Sequence, residues 1–190
     1  VGSEMCIRDR ERGLEPLANV ITLQMLNTPL EAEAAKFINP EKEVNTAEDA
    51  LNGAKDILAE SVSDNADFRT HIRELTMKHG QLLSAAKDPE AESVYEMYYE
   101  FNESLSKLAG HRILAISRGE KEKFLIVKID APVDRILSYL DRKLITAPSA
   151  PTAAVLHEVT EDAYNRLIAP AIAVSYTHLR ALETCADLVC

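Results

Sequence analysis

Basic side chains that could bind phosphate are concentrated in one stretch of this 190-residue chain, residues 107–128. The stretch holds six Lys and Arg against two Glu, a balance of +4 within a chain of net charge -10. Lys and Arg that neutralise phosphates release counterions, so a surface that gathers them can bind nucleic acid. The candidate nucleic-acid contacts are Arg112, Arg118, Lys121 and Lys123.

A purely structural explanation accounts for the same residues. Apolar residues between positions 108 and 116 recur at near-helical spacing, which predicts a helix with one buried face. Gly119 is predicted to end this helix, with basic residues beside it at the negative end of the helix dipole. In this interpretation the Lys and Arg stabilise a helix end and pair with Glu120, Glu122 or acidic helices.

One set of residues could serve an enzyme. His111 would act as an acid-base group and Arg112 as an anion clamp in a pocket shared with Glu120, but the predicted helix end separates His111 from Glu120. The interior histidines are scattered, and no HExxH motif, paired metal-ligand spacing or glycine-rich phosphate loop occurs. The sequence therefore predicts no catalytic residue, no cofactor and no metal.

The elements that position these residues are mostly helical. Residues 124–129 are short, β-branched and aromatic, which predicts one buried strand. A lone strand leaves its backbone groups unpaired, so it must pair with a weak segment of this chain, for which Leu82 and Leu83 are candidates, with residues missing from this chain, or with another molecule. We therefore predict a mostly α fold, a multi-helix bundle with helix-turn-helix-like hairpins and at most one small β element near 124–129.

Helical periodicity predicts the remaining elements. The helix that follows Thr46, with Asp49 in a capping arrangement, is the clearest, and Asp64 or Asn65 should cap its neighbour, which Gly80 closes. A proline-containing linker at 147–151 precedes a last helix that should extend outward. Further helices are predicted at about 16–28, 30–38, 89–101, 131–145 and 152–169.

The acidic background argues against direct DNA reading by the helical hairpin. Residues 41–103 hold fifteen Asp and Glu against six Lys and Arg. The negative charge of a helix from this region would therefore be repelled by the phosphates that flank a DNA groove. The tyrosines at 95, 98 and 99 could stack on bases, but helical spacing favours a role in the core.

Several stretches resemble one family in its order along the chain. Residues 111–116 and 118–122, HRILAI and RGEKE, are similar to the HRxLAxxRGEKE segment of the Tex family, and residues 13–18, 50–60 and 162–170 agree with it. Tex proteins are bacterial transcription accessory proteins with RNA-binding activity. The resemblance implies that residues 11–173 are part of an N-terminal helical region, separated here from the ribonuclease-H-like, helix-hairpin-helix and S1 domains of complete proteins.

The resemblance implies RNA, or another nucleic acid, as a partner of the full-length protein. Protein partners in transcription are also expected, together with a cytoplasmic location. For this segment we predict a non-catalytic helical scaffold with at most a local basic contact. The alternatives are a protein-interaction module that docks a partner on its acidic helices and, third, an unrecognised enzyme.

Both ends of the chain resemble translated sequencing-adapter read-through. Residues 1–10 and 174–190 hold all three cysteines, Cys6, Cys185 and Cys190, and we expect these flanks to contribute little to the core. The interior, 11–173, keeps a net charge of -9. No run approaches the roughly 18 apolar residues of a membrane span, and we expect a protein without a membrane partner.

Overall fold

The structure is a computed structural model that describes residues 2–25 and 28–173, with side chains from residue 6 onward in those ranges. Its strands, among the described residues, are β1 (Gln81–Ala86), β2 (Glu100–Ser104) and β3 (Leu125–Asp130). The α-helices there are α1 (Gly2–Glu11), α2 (Glu15–Leu23), α3 (Leu30–Ala34), α4 (Ala47–Asp64), α5 (Ala66–His79), α6 (Gly110–Lys121), α7 (Val133–Leu144) and α8 (Ala153–Asp162). The predicted mostly α fold with one small sheet is confirmed.

The chain divides into two compact units. The first unit contains the residues up to Arg69 together with Ile136–Ala169, and the described part of the second unit contains Thr70–Arg135 together with residues 170–173. Within the first unit, α4 begins at the predicted capping box: the Asp49 N–H donates to Thr46 Oγ1, and the Thr46 N–H donates to the Asp49 carboxylate, both at 3.0 Å. These bonds satisfy backbone donors that a helix start leaves unpaired.

Helix α4 is the centre of the first unit. Its buried face is rich in small residues, including Ala50, Gly53 and Ala54, which let α1, α2, α3 and α8 pack closely against it. Leu17 and Ile21 of α2 are fully buried in this core. Asn65 alone joins α4 to α5, and its side chain accepts hydrogen bonds from two backbone N–H groups of α5, as predicted for a short helical connection.

The N-terminal residues belong to this core, so the expectation that residues 1–10 contribute little is wrong. Cys6 is 1% exposed within the apolar cluster, and Asp9 is 3% exposed and accepts a hydrogen bond from Arg12 at 3.1 Å. Cys6 and Asp9 lie one helical turn apart, so α1 turns one face toward α4. The other flank, 174–190 with Cys185 and Cys190, lies outside the described residues.

Two other expectations for the first unit fail. The helix predicted at 16–28 ends earlier, because Gln24 adopts the left-handed conformation at a φ of 55° and leaves Leu23, the last residue of α2, 63% exposed. The last helix does not extend outward. Instead, α8 and the π-helix that continues it, Ala163–Ile168, pack against α4 and bury residues such as Leu156 and Tyr164.

The second unit is a three-stranded antiparallel sheet in the order β2-β1-β3, with α6 packed on one face. β1 is the predicted partner of β3, with Leu82 opposite Ile129 and Leu83 opposite Lys128. Side chains alternate across the sheet, so Leu82 and Leu125 enter a core with Ile113 and Ile116 of α6. The opposite face of the sheet is largely exposed.

The helix predicted at 89–101 is absent. A single 3-10 turn, Glu96–Tyr98, leads into β2, whose backbone pairs with the free side of β1. The aromatic residues that suggested a helical face still enter the core, as predicted: Tyr95 lies 6.0 Å from Phe124, and Tyr98 lies 5.4 Å from Phe101, between ring centroids. These buried rings therefore offer no platform for base stacking.

Candidate nucleic-acid interface

Helix α6 presents two of the predicted contact residues together. Arg118 and Lys121 are one turn apart, both are exposed, and both lie in the last turn of α6. The opposite side of the helix buries Ile113 and Ile116 against the sheet. Arg118 and Lys121 therefore form one solvent-facing surface at the negative end of the helix dipole.

Lys123 ends the helix, a role that the sequence assigned to Gly119. Lys123 has a φ of 66°, its N–H donates to Glu120 O at 3.0 Å, and the Phe124 N–H donates to Gly119 O at 2.9 Å. This pair of bonds is a Schellman ending, with Lys123 at the left-handed position that glycine favours. Lys123 is exposed and follows Lys121 by two residues and Arg118 by five.

Gly119 lies inside α6 because the strand packs directly against it. A Cβ added there would lie 2.6 Å from Leu125 Cδ1 and 3.1 Å from Tyr95 Cγ. Gly119 is therefore required for the structure, but its role is to allow close packing of the helix against the strand and not to end the helix.

Arg112 is separated from the other three predicted residues. It is nine positions before Lys121, which places the two on opposite sides of the helix at about 100° per residue. The Arg112 guanidinium donates to Glu103 Oε2 at 2.7 Å and lies 5.9 Å from the centroid of the Phe101 ring. Both partners belong to β2, so Arg112 joins α6 to the acidic edge of the sheet.

Lys87 joins the basic helix end through sheet pairing. Its N–H donates to Phe124 O at 2.8 Å, so this exposed lysine lies beside the residue that follows Lys123. Sequence analysis missed Lys87 because only the β1–β3 register brings it there. We call Lys87, Arg118, Lys121 and Lys123 the helix-end patch.

The helix-end patch has acidic neighbours. Glu122 accepts a hydrogen bond from the Tyr95 hydroxyl, and the pKa of Tyr95 is raised because burial and then this carboxylate disfavour the phenolate, while Arg118 acts in the opposite direction. None of the four patch cations forms an ion pair with a described residue. The patch can therefore bind an anion without first breaking a salt bridge.

The enzyme hypothesis gains no support from the geometry. His111 and Glu120 are nine residues apart on α6, on opposite sides of the helix and about 13 Å apart along its axis. Arg112 is engaged with Glu103. Within residues 2–25 and 28–173, no group of three or more His, Cys, Asp or Glu could hold a metal ion. None of the helices described is long and apolar enough to cross a membrane.

Comparison with known proteins shows which proteins this chain is similar to. The family model described as Tex central region-like matches residues 27–174, whereas the resemblance in the sequence implied the N-terminal helical region. YdcI of Bacillus subtilis (strain 168) is 46% identical over 166 residues, which cover 86% of this chain and 23% of that protein. Protein tex of Bordetella pertussis (strain Tohama I) is 40% identical over 128 residues, 66% of this chain and 16% of that protein.

A human protein shares the same region. S1 RNA-binding domain-containing protein 1 is 28% identical over 179 residues, which cover 86% of this chain and 18% of that protein. The chain thus spans less than a quarter of the length of the curated relatives it matches. Since the family model matches far more than half of the chain, with these relatives in agreement, the chain belongs to the Tex family.

Proposed function

We propose that this chain is one segment of a longer, cytoplasmic Tex-family transcription accessory protein that binds RNA. The segment itself is a non-catalytic helical scaffold that adds a local phosphate contact through the helix-end patch. Names of the relatives support the wider role, since one from Neisseria gonorrhoeae is called transcriptional accessory protein Tex and the human relative is named for an S1 RNA-binding domain. The short α4–α5 connection is a packing element of this scaffold.

Charge separation within the second unit is the observation that carries the proposal. Residues 88–103 hold six acidic and no basic side chains, whereas the rest of 70–135 holds ten basic against five acidic ones. The acidic stretch begins at Asp88, next to Lys87, and includes β2 at one edge of the sheet, whereas Arg118, Lys121 and Lys123 precede β3 at the other edge. This uneven distribution of charge supports a local basic contact despite the acidic chain.

Titration with single-stranded RNA at two salt concentrations tests the proposal. Reversing Arg118 and Lys121 to Glu should weaken binding and lower the slope of log K against log salt by about 1.4, because two phosphate contacts are lost. The matched control reverses Arg142 and Lys143, which occupy the last turn of α7 in the first unit and are also exposed. Equal losses in the two double variants, or no binding by the unaltered chain, would contradict the proposal.

A second candidate function is docking of a basic protein on the first unit. Its 18 acidic and ten basic residues give a net charge of -8. Leu23 and Met25 are 63% and 81% exposed at the end of α2, where they could anchor a partner. This alternative predicts that a Lys-rich peptide binds the chain and that Leu23→Ser with Met25→Ser weakens this binding. The affinity of the unaltered chain for RNA should then be near zero.

A further inference from the structure

The end of β3 far from the helix-end patch meets the end of α5. Gln81, the first residue of β1, pairs with Asp130, the last residue of β3. Gly80 lies so close that an added Cβ would be 3.2 Å from Asp130 O. Since α5 ends at His79 and α7 begins at Val133, the basic end of α5 lies near the start of α7, which carries Asp134 and Arg135 in its first turn.

Three side chains form this second basic cluster: Lys78, His79 and Arg135. All three are exposed, and none forms an ion pair with a described residue. The pKa of His79 lies below its ordinary value because contact with neighbouring atoms removes water from the ring and because Arg135 and Lys78 repel the positive charge of the imidazolium form. The acidic side chains nearest in the chain are Glu74, Asp130 and Asp134.

β3 connects the second basic cluster to the helix-end patch. It is an edge strand of the described sheet, and Ile126 and Lys128 lie on its exposed face. Its six residues span about 17–20 Å between the two basic groups, with Lys128 between them. One strand of a stacked nucleic acid presents a phosphate every ~3.4 Å, so about five or six nucleotides fit this length.

We propose that the second basic cluster and the helix-end patch bind the same nucleic-acid strand, laid along the exposed side of β3. The inference rests on the proposed function, because the helix-end patch is one end of the path. The face beside the path carries Leu83, Ala85 and Ile126 and no aromatic side chain. Recognition is therefore by the phosphodiester backbone, without base stacking, and is strongly salt-dependent.

Oligonucleotide length tests this path. Uridine oligoribonucleotides of about three and about nine nucleotides lie below and above the span, so the unaltered chain should bind the longer one more tightly. Lys78→Gln with Arg135→Gln should weaken binding of the longer oligonucleotide at least about fivefold and leave the shorter one unchanged. Arg142→Gln with Lys143→Gln is the control, since it removes two exposed cations from the first unit.

His79 supplies a second readout. A bound phosphate favours the imidazolium form, so NMR titration should show the pKa of His79 rising when the longer oligonucleotide is added. The shift should be lost in the Lys78→Gln, Arg135→Gln variant. A duplex of the same length is tested in parallel. If binding of either form is weakened by Lys78→Gln with Arg135→Gln, the path is supported. The form that binds more tightly then shows whether a single strand or a duplex supplies the phosphates.

The outcomes separate this inference from the proposed function. If the Lys78→Gln, Arg135→Gln variant binds the longer oligonucleotide like the control while reversal of Arg118 and Lys121 still weakens it, the path is wrong and the helix-end patch stands. If the unaltered chain binds neither oligonucleotide at low salt, both are wrong.

Discussion

The two units use their basic residues differently. In the first unit Arg10, Arg12, Lys36, Lys55 and Arg166 each contact at least one carboxylate, and Arg166 contacts both Asp56 and Asp162. In the second unit, Arg112 pairs with Glu103, whereas the helix-end patch and the second basic cluster form no ion pair with described residues.

The net charges follow the same division. The first unit carries -8, and the described part of the second unit, with ten basic and eleven acidic residues, carries -1. Cations that stabilise a fold are already neutralised, whereas unpaired cations remain available to phosphates. This difference supports the proposal that the second unit contributes the phosphate contact.

Removing residues 1–10 should have the largest effect on the first unit. Loss of α1 exposes the face of α4 that it covers and removes Cys6 and Asp9, so the free energy of unfolding should fall by at least about 3 kcal/mol. Thermal and denaturant unfolding measure the loss. The control is removal of 174–190, for which the sequence predicts an almost unchanged melting temperature. An unchanged first unit after loss of 1–10 would show that α1 is not part of its core.

Alkaline pH should destabilise the same core through Cys6. Burial and then a hydrogen bond with Glu60 raise the pKa of this thiol to about 12, from an ordinary value of 9.0. Because the folded-state pKa is raised, the stabilisation is complete below about pH 9 and is lost between pH 9 and 12, by about 1.4 kcal/mol per pH unit.

Denaturation midpoints compared with those of Cys6→Ala measure this loss. The variant should lack the additional alkaline slope, because it has no thiol to ionise. Parallel pH profiles for the two proteins would show that the Cys6 thiol is solvated in the folded chain.

Matched neutral substitutions test the difference in ion pairing. Arg166→Met leaves Asp56 and Asp162 without their partner in a partly buried setting and should cost about 1–3 kcal/mol. Lys121→Met, at an exposed position without an ion pair, should change stability by less than about 0.5 kcal/mol. Chemical denaturation compares them, and similar losses would remove the distinction between the two units.

Buried hydroxyls provide the smallest test. Ser84 in the second unit and Thr152 in the first each bury a hydroxyl oxygen that has no hydrogen-bond partner among the described residues. Ser84→Ala and Thr152→Val should therefore be neutral or stabilising by up to about 1 kcal/mol. Destabilisation of more than that amount in calorimetry would mean that a bound water or another partner satisfies the hydroxyl.

Local signals predicted much of this fold. The Thr46 capping box, the Asn65 cap and the β character of 124–129 all depend on residues close in sequence, and each prediction is confirmed. The missing helix at 89–101 shows the limit. Its apolar spacing is helical, but β1 had a free edge, and pairing with Glu100–Ser104 outweighed that local pattern.

The candidate site was predictable only in part. Helical phase separates Arg112 from Lys121, but the sequence predicted that the helix ends at Gly119, so this division became visible only when α6 was found to reach Lys121. Lys87 could be assigned to the helix-end patch only once the β1–β3 register was known. The second basic cluster could be recognised only from the contact between the end of α5 and β3. Such contacts join residues that are distant in the chain, and no local pattern encodes them.

Photochemical cross-linking tests the central claim, that the second unit is the nucleic-acid-binding part of this chain. A single-stranded RNA containing 4-thiouridine would be cross-linked to the whole chain at low salt, and the modified peptides identified by mass spectrometry. We expect cross-links in peptides around Lys87 and residues 118–128, reduced when Arg118 and Lys121 are reversed to Glu. Cross-links confined to the first unit, or insensitive to that reversal, would contradict the account.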